Sequence, residues 1–172
     1  AASDDCYAGG SDASDQPSWV AYDMFTLNPT LGPQEGLWTK GYAGIYRANL
    51  LLQKLEEAPA DISSSFKNRI AAEAKFLRAY FYFDLIKFFG NIPLLNDVVS
   101  VDQITSVTQA SSSDVYAQIE NDLRAAKAEL EIPESVAPAE FGRITQGAVA
   151  ALLGKVILYQ NNDNRMIEAA DL

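Results

Sequence analysis

Histidine is absent from these 172 residues, and cysteine occurs once. Without histidine the chain lacks the commonest general base and the commonest nitrogen ligand. That removes most catalytic triads and zinc sites from consideration. A single cysteine, Cys6, forbids an internal disulfide. Long apolar runs are missing too: no stretch approaches the roughly 18 consecutive apolar residues of a membrane-spanning helix. Basic residues are few, 13 against 23 acidic, for a net charge of −10. They are dispersed rather than clustered, so no nucleic-acid surface is expected. The same acidity opposes docking on anionic lipid headgroups and suits a solvated, secreted domain; it also serves simply to keep the domain in solution. The opening Ala1-Ala2-Ser3-Asp4-Asp5-Cys6 has neither a basic n-region nor an apolar h-region, so no signal peptide is read there. A lipid-bearing cysteine would follow an apolar segment. Ser3-Asp4-Asp5 precede Cys6, which is therefore read as a free thiol in a loop.

What the chain does have is helical periodicity. Between Ala72 and Phe89, positions Ala72, Phe76, Ala79, Phe83 and Ile86 share one face of a helix. Ala74, Leu77, Phe81, Leu85 and Phe88 share nearly the opposite face. Lys75, Arg78 and Tyr82 fill one seam between them; Glu73, Tyr80, Asp84 and Lys87 fill the other. A helix with two apolar faces needs cover on both, which predicts an interior layer of stacked helices. Gly90 supplies its stop, and Pro93 prevents its resumption.

Around this helix the chain divides readily. Residues 1–33 are rich in Gly, Ser, Asp and Pro and read as a long loop region with little regular structure. A first helix is predicted over about Gln34–Glu57, striped by Trp38, Tyr42, Ile45, Asn49, Leu52 and Leu55. The second runs over about Ser64–Phe89. The short turn at Pro59 and Asp61 makes residues 34–89 an antiparallel pair. After a loop over residues 90–112, Ser112 or Ser113 caps a third helix reaching about Leu130, with Val115, Ile119, Leu123, Ala126 and Leu130 inward. Thr145 caps a fourth, to about Gln160, whose Gly147, Ala148, Ala151 and Gly154 would admit a close neighbour. Residues 113–160 thus form a second pair, and a fifth helix begins near Arg165. The expected fold is all-α, with tetratricopeptide-like antiparallel pairs in a single domain over residues 1–172.

The run Glu73-Ala74-Lys75-Phe76-Leu77-Arg78-Ala79-Tyr80 through Gly90-Asn91-Ile92-Pro93-Leu94 closely resembles the signature of the SusD/RagB family, with Asn91 where that family more often has Asp. Further matches follow its order: Ser3–Gly10; Trp38, Tyr42, Ile45, Ala48 and Asn49; Asp114 through Ala126; and Gly142-Arg143-Ile144-Thr145 through Tyr159. The resemblance covers nearly the whole chain. It implies a scaffold of helix pairs and a non-enzymatic, cofactor-free lipoprotein of the outer membrane and cell surface. Such a protein binds oligosaccharides or similar nutrients and hands them to a SusC-like TonB-dependent transporter. Members of the family are typically much longer, so the chain reads as a fragment, with the lipid anchor outside it.

Sugar recognition requires an aromatic face for C–H groups and polar side chains for hydroxyls. Trp19, Tyr22 and Phe25, with Asn28 and Asp5, are the candidate carbohydrate-binding residues; Tyr7 and Asp12 lie nearby in the sequence. By resemblance this part of the chain contributes to the glycan site. Trp38, Phe76, Phe81 and Phe83 are assigned to the core by periodicity. Asp4, Asp5, Asp12 and Asp15 could offer oxygens to calcium, but their spacing is not that of an EF-hand, and no metal site is assigned. Acid–base pairs such as Asp84 with Lys87 read as structural, and no carboxylate pair is marked for glycosidase chemistry. Asn49, on an apolar stripe, should bond a loop carbonyl and fix its helix against residues 1–34; ligand contact is the other reading. The alternative for the whole chain is a helical-repeat scaffold for protein interaction that binds no glycan.

Overall fold

A computed structural model describes residues 5, 7–12, 14–130 and 137–172. They fall into two compact units, within residues 1–40 and 41–172. The fold is all-α. Its helices are α1 (Pro17–Asp23), α2 (Gln34–Glu56), α3 (Ser64–Phe89), α4 (Val101–Ile104), α5 (Ser112–Glu129), α6 (Gln146–Tyr159) and α7 (Met166–Ala170). Among the described residues the only sheet pairs β1 (Ile92–Pro93) antiparallel with β2 (Gln109–Ala110).

Capping sets the boundaries. Ser63 accepts the Phe66 N–H at the start of α3, and Gly90, at φ 67°, ends that helix with its own N–H on the Ile86 carbonyl. Ser111, one residue earlier than expected, accepts the Asp114 N–H to start α5. Thr145 accepts the Ala148 N–H to start α6. The segment read as loop contains α1, which opens with Pro17 at its first turn but has no side-chain cap. Gln16, its N-cap, is left-handed at φ 51°. A seven-residue helix without a cap leaves little trace in sequence.

In the second unit α3 packs along α5, α5 on α6, and α6 on α7. Tyr82, Phe83, Leu85, Ile119, Leu123, Leu153 and Ile157 are fully buried there. Glycines bring α2 close to α3: a Cβ at Gly41 would lie 2.7 Å from Leu85 Cγ, and one at Gly44 2.2 Å from the Phe81 ring. Of the two apolar faces of α3, the one with Ala72, Ala79, Phe83 and Ile86 is the better covered. On the other, Ala74 and Leu85 are buried, while Leu77 and Phe88 stay 44% and 49% exposed. Gly44, Ala48, Leu51, Ala74, Leu77 and Phe81 line an apolar groove there, of about 270 Å³. Phe81 is thus a half-buried groove wall rather than core, and Trp38 is 36% exposed; Phe76 is half-buried, and Phe83 is core as expected.

The small residues of α6 admit a neighbour at one place: a Cβ at Gly154 would meet the Ala169 carbonyl of α7 at 3.5 Å, whereas Ala148 and Ala151 are exposed. A charge cluster holds α7. Arg165 donates to both Glu120 oxygens at 2.6 and 2.7 Å and to Glu168 at 2.8 Å, and Arg124 bridges Glu120 and Glu168.

Candidate ligand-binding surface

The N-terminal unit displays rings. The Ala8 N–H donates to Asp23 Oδ2 at 3.2 Å, and Gly9 lies against Val20, so residues 7–10 run beside α1. Trp19 and Tyr22, one turn apart on α1, meet edge to face with centroids 6.3 Å apart. Trp19 is 44% exposed and Tyr7 95% exposed. At the end of α1, Phe25 takes the left-handed conformation at φ 55°, and Thr26 N–H reaches back to the Ala21 carbonyl at 2.8 Å. This is a Schellman-type stop in a position that normally goes to glycine. The Phe25 ring nevertheless stands 80% exposed. A bulky residue kept in a costly conformation with its ring in solvent is a pointer to function.

Asn28 has a job in the next turn. Its Oδ1 accepts from Thr30 N–H and Oγ1 at 3.0 Å each, and its backbone pairs with Leu31. Asp5 is exposed. Trp19 and Tyr22 are therefore brought together on one helix, with Phe25 directly after it and Asn28 holding the next turn. Asp12 accepts from Ser14 N–H and Oγ at 2.8 and 2.5 Å, which holds its carboxyl below the usual range, and Asp15 accepts from Ser11 N–H. Among the described residues no three His, Cys, Asp or Glu side chains gather in a metal-binding group. Asp4 and Cys6 lie outside the described residues.

The second unit contains a polar hub that sequence reasoning placed only in part. Arg78 on α3 grips Asp122 on α5 with two bonds of 2.7 Å; both side chains are buried. Its Nη1 donates to Asn49 Oδ1 at 2.8 Å and to the Asn96 carbonyl at 2.9 Å. Asn49 Nδ2 donates to the Leu95 and Asp97 carbonyls at 2.8 and 3.0 Å. The loop carbonyl expected for Asn49 thus exists, but it belongs to residues 95–97, not to residues 1–34. Tyr82 donates to the Leu95 carbonyl at 2.8 Å and accepts the Leu95 N–H at 2.6 Å; burial pushes its phenol up to about 12. Tyr42 donates to the Pro93 carbonyl at 2.8 Å. The signal for the hub was the Arg78–Tyr82 seam on α3. Its partner Asp122 is 44 residues away and could not be paired from spacing. Asp84 pairs with Lys87 at 2.8 Å, as read from the sequence.

Residues 11–158 match the family model described as starch-binding associating with outer membrane, SusD-like. The chain belongs to the SusD-like family. "SusD-like protein P2" of Formosa agariphila is 29% identical to it over 149 residues, which are 85% of this chain and 28% of that protein. The solved structure of a laminarin-binding SusD-like protein superposes with a TM-score of 0.87 at 40% identity, covering 98% of this chain and 35% of that one. Surface glycan-binding protein A of Bacteroides thetaiotaomicron, solved with laminarihexaose, gives a TM-score of 0.81 at 25% identity, covering 98% of this chain and 34% of that one. The SusD-like chain thus spans about a third or less of the length of these relatives.

Proposed function

We propose that this protein binds an oligosaccharide at the outer-membrane surface and passes it, chemically unchanged, to a SusC-like TonB-dependent transporter. The family description and the glycan-binding neighbours support this reading. The observation that carries it is the ring set of α1 and its C-terminal stop: exposed Trp19 against half-buried Tyr22, then exposed Phe25 on left-handed backbone. Rings of this kind offer flat apolar faces to sugar C–H groups, while Asp5 and neighbouring polar groups meet hydroxyls. Cargo capture followed by transfer requires no general acid, cofactor or metal.

The test is calorimetric titration of the intact protein with laminarihexaose, alongside Trp19→Ala. Loss of one stacking ring should weaken binding about tenfold, as expected for on the order of 1 kcal/mol. Helix content and melting temperature should stay nearly unchanged. A variant that melts earlier yet keeps its affinity would assign Trp19 to structure. The apolar groove of α2 and α3 favours a second reading, a protein-interaction scaffold. In that case laminarihexaose leaves the tryptophan emission of the wild-type protein flat.

A further inference from the structure

The structure carries a second pocket that shares no residue with the rings of the N-terminal unit. A cavity of about 480 Å³ opens between α2, α3 and the loop over residues 96–98, lined by Gln53, Glu56, Lys75, Arg78, Asn96 and Asp97. We propose that it binds a small zwitterion of amino-acid size.

The pocket is framed before any ligand arrives. Asn49, Arg78 and Tyr82 between them occupy the carbonyls of residues 95–97, which fixes the loop wall from below. Asn96 and Asp97 make no side-chain hydrogen bond to any described residue, and neither do Glu56 and Lys75 across the opening. Lys75 is half-buried and makes no ion pair with any described carboxylate, in a chain with ten more negative than positive charges. A half-buried ammonium in such company normally finds a partner among its neighbours.

Charge selects the ligand. The Arg78 guanidinium is cancelled by Asp122, outside the cavity. The side chains that line the opening carry both signs: the Lys75 ammonium, and the Glu56 and Asp97 carboxylates, of which Asp97 lies within electrostatic reach of Arg78. A simple anion would meet the carboxylates, and a simple cation would meet Lys75. A molecule with both signs satisfies each: its carboxylate on Lys75 with the Asn96 amide, its ammonium on Asp97 and Glu56. Among the described residues no aromatic ring lines the cavity, so they offer no stacking face of the kind a sugar needs. The volume lies within the roughly 300–1,000 Å³ of small-molecule sites.

Calorimetry of the intact protein tests this with L-glutamine as probe. Sodium acetate, methylammonium chloride and glucose are comparators. Saturable glutamine binding is expected, weakened at least about tenfold by Lys75→Ala and by Asp97→Ala, with each half-ligand at least that much weaker. Since neither side chain holds a structural bond, both variants should keep the wild-type dichroism spectrum and their affinity for laminarihexaose. Absence of saturable glutamine binding overturns the proposal. So does binding that both variants retain, or glucose binding that matches glutamine. Loss of laminarihexaose binding in Trp19→Ala with glutamine binding intact would confirm two independent sites.

Discussion

The two units of this molecule treat polar and aromatic groups in opposite ways. In residues 41–172 the rings of Tyr82 and Phe83 are buried, and the deepest charges are neutralised by one another. In residues 1–40 Tyr7 and Phe25 stand in solvent, and one of them sits on unfavourable backbone. The contrast separates two demands. Stability is concentrated where helices stack, so the N-terminal unit is free to keep rings uncovered. Changes in the buried core of the body should therefore register as changes in unfolding, and changes to the rings near α1 as changes in binding.

The sharpest way to break this comparison is at the hub. Arg78→Met leaves Asp122 buried without its countercharge and should cost about 3–5 kcal/mol in urea unfolding. A cost near zero would mean that the hub is not what holds α3 to α5. Next come two phenylalanines on one helix. Phe83→Ala empties a closed site and should cost about 3–5 kcal/mol, whereas Phe81→Ala, at the half-open groove, should cost roughly half of that. Equal losses would show that the groove is closed in solution.

Acid offers a milder test. Bonds from Arg165, Gln160 and Arg124 hold the Glu120 carboxyl at about 2, below its ordinary 4.5. A lowered folded-state value stabilises the native chain above the unfolded value. That contribution disappears as pH falls from about 4.5 towards 2. The melting temperature should therefore fall over this window more steeply in the wild type than in Glu120→Gln. Parallel curves would remove the α7 clamp from the account. The smallest effect belongs to the N-terminal unit. Phe25→Gly relieves left-handed strain and should leave stability unchanged or raise it by about 1 kcal/mol, while weakening laminarihexaose. A clear loss of stability would give Phe25 a structural role.

The helical body was legible because each long helix carries both a stripe and a stop. Ser64–Phe89 falls between Ser63 and Gly90, and Gln146–Tyr159 follows Thr145. What sequence could not carry was everything decided across elements. Periodicity put Phe81 on an apolar face, but whether a neighbour covers that face depends on how α2 crosses α3. Asn49 was read as a tether, yet its partner is set by where the loop after α3 returns. In the candidate surface, Trp19, Tyr22 and Phe25 lie in a segment that reads as loop. The structure instead puts the first two on a short helix, too brief to write a repeating pattern.

The connection that follows α3 has one more consequence. Exposed loops are ordinarily where proteases cut and where insertions are tolerated, because their backbone can be drawn out at little cost. At residues 93–97 the carbonyls of Pro93, Leu95, Asn96 and Asp97 and the amide of Leu95 are all held by side chains from α2 and α3. Drawing this strand into a protease cleft would break the grip of Tyr42, Asn49, Arg78 and Tyr82 together. The segment has the outline of a loop but a backbone held as firmly as a core strand's, so nicking and sequence grafts belong elsewhere on this chain.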